Sequence, residues 1–342
     1  MKTARYEDGA VHIREIPVPD PGPDEALVHI SAAGVCHSDL HMARGEWAAV
    51  GQVGLIGHEA IGVVESLGPG AERFVGVGDR VILGLGGAGG GYWCGACEYC
   101  LGGSPRHCAQ TRPVVGTFAE YFSIWAPALV TLPDAVGDLD APLACGGLTA
   151  YGAVKKLTKF GVVPGRPVAV IGAAGGLGHY ALQLATEFGY DVVAVDIGRE
   201  RLDFARSLGA RIAVEPGDAA AAMAEVGGGV DAALVFSSRI AGFHLGLKLL
   251  RAGGLFVGVG LPATSDGKIE VDPFEFLIKD PTLIYSGVGT VQDMRELVGH
   301  AAAGRVKTHV SRVGPLSELG AIFDELGEAR YLGRAVVNDL AN

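Results

Sequence analysis

The sequence predicts an α/β protein in two parts, one β-rich and one built on a doubly wound, mostly parallel sheet. Three observations carry that prediction. The first stretch, about 145 residues long, holds short apolar or alternating runs such as ALVHI, IGVVESLG and DRVIL, separated by Gly and Pro turns. From Pro167 the texture changes, and apolar runs alternate with amphipathic stretches: PVAVIG then LGHYALQLATEFG, DVVAVD then RERLDFARSLG. RIAVE, DAALVFS, the helical FHLGLKLLRAGG, LFVGVG and TLIYSG come next. Strands alternating with helices in this way give βαβ units and a parallel sheet, and the six-strand count fits the dinucleotide-binding version of the doubly wound fold. Finally, the tail from about Val288 adds a helical QDMRELVGHAAAG and ends in RAVVNDL, which reads as a strand.

Composition narrows the class. At 342 residues the chain can hold two separate cores, and 49% hydrophobic with 19% charged residues excludes disorder across the whole. The net charge of -11 and the lack of a dense Lys/Arg block argue against nucleic acid or an anionic membrane as partner. The opening MKTARYEDGAVHIREI has no apolar core of a signal peptide, and no run looks like a spanning helix. A cytoplasmic, soluble protein is expected, since thiolate-held metal fits a reducing interior. The run GLGGAGGG at residues 84 to 91 reads as a flexible loop.

All six cysteines fall into two metal-type sets. Cys94, Cys97, Cys100 and Cys108 lie in CGACEYCLGGSPRHC, and this C-x2-C-x2-C-x7-C spacing lets four thiolates converge on one ion. A closed all-sulfur tetrahedron suits structural Zn²⁺. An iron–sulfur cluster and a redox pair at Cys97 and Cys100 are the rivals, but the spacing differs from the ferredoxin run and four close cysteines favour a metal. Cys36 in GVCHSDLH, His58 in GHEAIGVV and Cys145 in APLACGGLTAYG form the other set. Two thiolates and an imidazole would leave a zinc ion one open position for water or substrate. The competing reading of Cys36 and Cys145 is a pair of buried, inert thiols.

The run AVIGAAGGLGHYALQLA follows a strand and opens a helix. Gly175, Gly176 and Gly178 permit a tight turn, close approach of a pyrophosphate and close helix–sheet packing, although Ala173, preceded by Gly172, stands where the first glycine of the usual pattern falls. Asp196 lies at the end of the next strand, where a carboxylate accepts from the adenosine ribose 2′-OH and repels a 2′-phosphate. NAD is therefore expected over NADP, with Arg199 and Arg201 close enough to attract a phosphate.

Together GVCHSDLH, GHEAIGVVESLG, VGDRV, CGACEYC, APLACGGLTAYGAVK, GAAGGLGHYALQLA, VVAVD and LGRAVV resemble the zinc-dependent medium-chain alcohol dehydrogenases over essentially the whole chain. The resemblance implies a GroES-like β-rich catalytic domain over residues 1–147 and 288–342, with the structural zinc lobe at 94–108. A Rossmann NAD-binding domain would span 148–287, with the active site in the cleft between the domains. It also implies two zinc ions per chain, one catalytic and one structural, and NAD(H). Cys36, His58 and Cys145 resemble the catalytic zinc ligands, and Glu59 the acid that approaches the metal during ligand exchange. Asp39 resembles the carboxylate that orients the ligating imidazole; helix capping is its other reading. Ser38 matches the hydroxyl that accepts the substrate proton, and His41 the end of a relay to solvent. His37 and Arg334 fall where the family contacts the pyrophosphate. Thr149, Leu177 and Val259 fall around the nicotinamide, and Arg201 near the adenosine ribose.

The implied reaction is reversible hydride transfer between a primary or secondary alcohol and NAD, giving an aldehyde or ketone. Trp47 is expected to line the substrate pocket. The stretch GLGGAGGGYW is longer and richer in glycine than in the family, so either Trp93 closes the pocket or its wall is open. We predict a pocket that admits bulkier or aromatic alcohols as well as short ones; activity confined to ethanol and propanol in a substrate panel would exclude it. A polyol dehydrogenase is the nearest rival, against which Cys145 argues because that group often carries a carboxylate there. A non-catalytic NAD-binding protein is the rival of a different class. The resemblance suggests a homodimer or homotetramer.

Overall fold

The computed structural model describes residues 1–87 and 90–342, so Ala88 and Gly89 of the glycine-rich run lie outside the described residues. The chain forms two compact units, Met1–Leu148 with Val288–Asn342, and Thr149–Gly287. No helix among the described residues is long and apolar enough to cross a membrane.

The first unit is organised by the strand Glu25–Val35, whose alternate burial on one half and near-complete burial on the other let it serve as the centre of a sheet. The spatial order is Val310–Pro315, Arg334–Asp339, Glu25–Val35, Glu59–Leu67, Arg80–Leu83 and Leu129–Thr131, with Tyr121–Trp125 also paired to Glu25–Val35. The runs ALVHI, IGVVESLG and DRVIL are thus strands, as their patterning predicts. RAVVNDL is the strand Arg334–Asp339, and it enters the sheet of the N-terminal residues antiparallel to Glu25–Val35. Gly34 stands opposite Glu59 in the register, and Val35 opposite Ala335. These two pairs bring the ends of three strands, far apart in sequence, to one place.

The second unit holds the six predicted strands, all parallel. Their spatial order is Ile212–Val214, Asp191–Val195, Pro167–Ile171, Val230–Val235, Leu250–Gly258 and Thr282–Tyr285. Counted along the chain this is 3-2-1-4-5-6, the order of the dinucleotide-binding doubly wound fold. Ala169, Ile171, Val193, Val195, Val235, Phe243 and Phe256 share one fully or nearly fully buried core. Burial on both faces explains why these strands read as continuous apolar runs. In this unit ligands are expected beyond the carboxyl ends of the strands, beside the first strand where the order reverses.

Candidate active site and metal centres

Cys36 ends the central strand of the first unit and caps the helix His37–Arg44. His58 and Glu59 begin the neighbouring strand, and Cys145 ends the 3-10 turn Asp138–Ala144. Ligand atoms of Cys36, His58, Glu59 and Cys145 all lie within 4.8 Å of one another. Local structure orients the imidazole. Asp39, fully buried in the first turn of the helix, accepts His58 Nδ1 at 2.8 Å and the Gly57 amide at 2.9 Å through Oδ1. Its Oδ2 accepts the Cys36 amide at 3.3 Å. One oxygen of Asp39 thus caps the helix and the other holds His58 Nδ1, an arrangement that leaves Nε2 available to a metal.

The electrostatics fit a dication. The hydrogen bond from Cys145 holds the Cys36 thiol well below its ordinary pKa, and the same bond with burial pushes that of Cys145 up. Burial opposes charge on His58, but the Asp39 carboxylate and the Cys145 sulfur outweigh it and raise its pKa well above normal. A metal binds such ligands in their deprotonated form, so its entry releases protons. Two thiolates and one imidazole suit zinc with one position left open.

Glu59 belongs to the same cluster and is held by hydrogen bonds of its own. Its Oε1 accepts the Gly146 amide at 3.0 Å, and its Oε2 is bonded to Arg334 Nη2, which also donates to Val35 O at 2.9 Å. Both side chains are buried, and burial pushes the Glu59 carboxyl up to about 7 against the pull of Arg334. Gly34, opposite Glu59 in the register, is required here, because a Cβ would collide with Glu59 Oε2. Sequence reading missed that glycine, since its cause lies on another strand.

Ser38 is half-buried in the first helical turn. His37 is also half-buried, and burial together with the nearby His41 lowers its pKa. The ring of His41 lies between His37 and Trp47, with centroid distances of 4.7 Å and 4.9 Å. His41 Nδ1 bonds to Glu46, a residue the sequence reading did not single out. Trp93 packs edge-on against Trp125 at 5.1 Å and lies over Gly86.

The four cysteines of the loop also converge within 4.8 Å. Cys97 and Cys100 sulfurs are 3.5 Å apart, and those of Cys94 and Cys100 3.9 Å. Four sulfurs around zinc at 2.3 Å would stand ~3.8 Å apart, so the loop has the size of that tetrahedron. None of the six cysteines is in a disulfide. Amides of Ala96 and Cys97 aimed at its sulfur lower the Cys94 pKa to about 6, while burial and the neighbouring sulfurs push Cys100 up to about 12. Four thiolates this close need a cation.

In the second unit the glycine run joins the first parallel strand to the helix Gly178–Glu187. Gly172, with φ of +79°, takes the left-handed turn, so the motif's turn glycine sits one position before Ala173. Gly178 is the close-packing glycine, because a Cβ there would collide with Gly172 O. Asp196 stands beside this turn, with Oδ2 accepting the Ala174 amide at 2.7 Å and Oδ1 the Ile197 amide at 2.8 Å. Leu177 caps the helix, Arg201 lies half-buried on the helix Arg199–Ser207, and Val259 follows the fifth parallel strand, buried. Thr149, also buried, lies on the helix Gly146–Lys159.

Comparison with known proteins agrees with this geometry. Residues 22–134 match the alcohol dehydrogenase GroES-like domain, and residues 176–303 match the zinc-binding dehydrogenase domain. An alcohol dehydrogenase of Geobacillus stearothermophilus is 40% identical, covering 98% of this chain and 99% of its own length. Among solved structures, the alcohol dehydrogenase of Aeropyrum pernix superposes with a TM-score of 0.89 at 31% identity, covering 99% of this chain and all of that one. Acetophenone reductase from Geotrichum candidum, solved in complex with NAD, gives 0.86 at 27% identity, covering 100% and 98%. Sequence, fold and metal-binding geometry lead to one conclusion: the chain belongs to the zinc-dependent medium-chain alcohol dehydrogenases.

Proposed function

We propose that this dehydrogenase interconverts primary or secondary alcohols with aldehydes or ketones using NAD(H), each site residue having a distinct role. The observation that carries the reading is the convergence of Cys36, His58 and Cys145 beside an imidazole oriented by Asp39. Zinc bound there would supply the Lewis acidity that makes an alcohol hydroxyl acidic near neutral pH, and bound NAD would supply the hydride acceptor. Cys36, His58 and Cys145 hold the metal, and Glu59 stands by for ligand exchange. Ser38 Oγ accepts the hydroxyl proton and His41 Nε2 receives it in turn. Trp47 and Trp93 bound the substrate pocket. Cys94, Cys97, Cys100 and Cys108 hold a second zinc that fixes their loop. The domains are 1–147 with 288–342, and 148–287. Metal analysis combined with NAD reduction across linear, branched and aromatic alcohols tests the reading. Two zincs per chain with turnover on aromatic alcohols is expected; one zinc and no turnover on any alcohol refutes it.

Cofactor binding rests on the backbone of Gly175, Gly176 and Gly178 for the pyrophosphate, with His37 and Arg334 as further contacts. Thr149, Leu177 and Val259 flank the nicotinamide, and Arg201 and Asp196 the adenosine ribose. Asp196 is held by two amides yet keeps lone pairs for the ribose hydroxyls. Replacing Asp196 by Ser removes charge-assisted hydrogen bonds of about 1.5–3 kcal/mol, so kcat/KM with NAD should fall roughly 10- to 150-fold while use of NADP improves. Steady-state kinetics with both cofactors would show it, and an unchanged preference would remove Asp196 from the ribose site.

The assembly is a homodimer or homotetramer, and the compartment the cytoplasm. Support for self-association comes from the helix Pro273–Lys279, where Phe274, Leu277 and Ile278 are 70%, 74% and 66% exposed. It lies before the outermost parallel strand Thr282–Tyr285, which carries the exposed Leu283 and Tyr285. An apolar sheet edge of this kind is a site for pairing with a second copy. Leu277→Glu is expected to shift the protein to a smaller species in sedimentation velocity; the wild type sedimenting as a monomer would end this reading.

A further inference from the structure

We propose that Glu46 is a positioning residue for His41, fixing its tautomer and supplying the counter-charge when the ring takes up the substrate's proton. This rests on the Ser38–His41 proton route of the proposed function. Three observations carry it.

The first is how the backbone delivers Glu46. The helix His37–Arg44 ends at Gly45, which adopts the left-handed conformation with φ of 65°. Gly45 N bonds to Met42 O at 3.2 Å, and Glu46 N to His41 O at 2.9 Å. This is the two-bond Schellman ending, in which the residue after the glycine returns over the one five positions earlier. Glu46 is thus placed on His41 by the turn itself.

The second is the state of the ring. His41 is 5% exposed, its Nδ1 bonds to Glu46 Oε2 at 2.5 Å, and its Nε2 is buried with no hydrogen-bond partner among the described residues. A carboxylate on Nδ1 requires the proton there and leaves the Nε2 lone pair as acceptor. That is the form a relay needs. The third is the surrounding charge. The His37 ring lies 4.7 Å from that of His41, and Arg44 stands on the same helix. On the packed helix Leu319–Gly327, Asp324 is paired with Arg44 at 3.8 Å and Glu325 with Arg312. Glu46, with its side chain 32% exposed, is the anion in direct contact with the ring. An exposed Glu–His pair would contribute little to stability, but a buried ring that must become charged depends on such a partner.

The step is a proton transfer only. One proton is gained at Nε2, Glu46 keeps its charge throughout, and the ring later returns the proton to water. No electrons move.

The test uses full-length, zinc-loaded enzyme carrying Glu46→Gln, Glu46→Ala, His41→Ala and the His41→Ala/Glu46→Gln pair. Both Glu46 variants are expected to lower kcat for alcohol oxidation roughly tenfold, with KM for NAD and alcohol within about twofold of wild type. On the His41→Ala background, Glu46→Gln should change nothing further. Nitrogen NMR of the histidines at pH 9, without substrate, should show the Nδ1–H form of His41 in the wild type and loss of that preference in Glu46→Ala. A normal kcat in both Glu46 variants beside a crippled His41→Ala enzyme would overturn the role of Glu46 alone. A normal kcat in His41→Ala would overturn the proton route itself. A further loss on the His41→Ala background would show that Glu46 does not act through His41.

Discussion

Cys145→Ala should reduce the zinc content from about two to about one per chain and lower kcat/KM for alcohol oxidation by roughly 10³-fold or more. The size comes from what the metal contributes: several kcal/mol of charge stabilisation, each 1.4 kcal/mol being about a factor of ten. The structure gives no ready substitute for the lost thiolate. Glu59 is the carboxylate of the cluster, yet it is tied to Arg334 and to the Gly146 amide. Holding it on the metal permanently in place of the thiolate would weaken its ion pair with the buried Arg334, a cost of several kcal/mol. Cys36 and His58 alone bind a dication weakly. The fold should tolerate the change, because alanine fits wherever the half-buried cysteine does. Metal analysis and steady-state kinetics on one preparation decide the matter. Wild-type turnover at undiminished zinc content would show that the ion is held without Cys145.

How much of the fold and site was legible depends on where each signal resides. The six parallel strands announce themselves because both faces are buried, and their alternation with helices leads directly to the order 3-2-1-4-5-6. The zinc-type cysteine run is local, and its spacing alone sizes the tetrahedron. The strand Val310–Pro315 and the helix Leu319–Gly327 escaped notice. That strand alternates half-buried and exposed positions around Arg312, which pairs with Glu318 and Glu325. The entry of Arg334–Asp339 into the N-terminal sheet is a pairing across nearly the whole chain, which no local pattern encodes; only the family resemblance implied it. Glu46 is the opposite case. Gly45 after HSDLHMAR is a readable helix stop, and the geometry of that stop places the next side chain on His41.

Arg334→Met should destabilise the protein by about 3–5 kcal/mol, and adding Glu59→Gln should restore much of that loss. The two side chains lie 275 positions apart in sequence, and both are at most 2% exposed. Removing the guanidinium alone strands a buried carboxylate that burial already drives toward its neutral form. It also releases Val35 O from its bond to Nη2, at the end of the central strand. With both charges gone, glutamine can still accept the Gly146 amide, and methionine fills the volume of the arginine stem without a charge to compensate. Glu59→Gln alone should be destabilising as well, because it leaves the guanidinium buried and unneutralised. Denaturant unfolding of the zinc-loaded wild type, both single variants and the double variant gives the coupling energy directly. A double variant much more stable than the sum of the single losses means that the pair acts as a unit, closing the sheet beside the metal ligands. Additive losses would mean that Gly146 and the strand register hold Glu59 without help from Arg334.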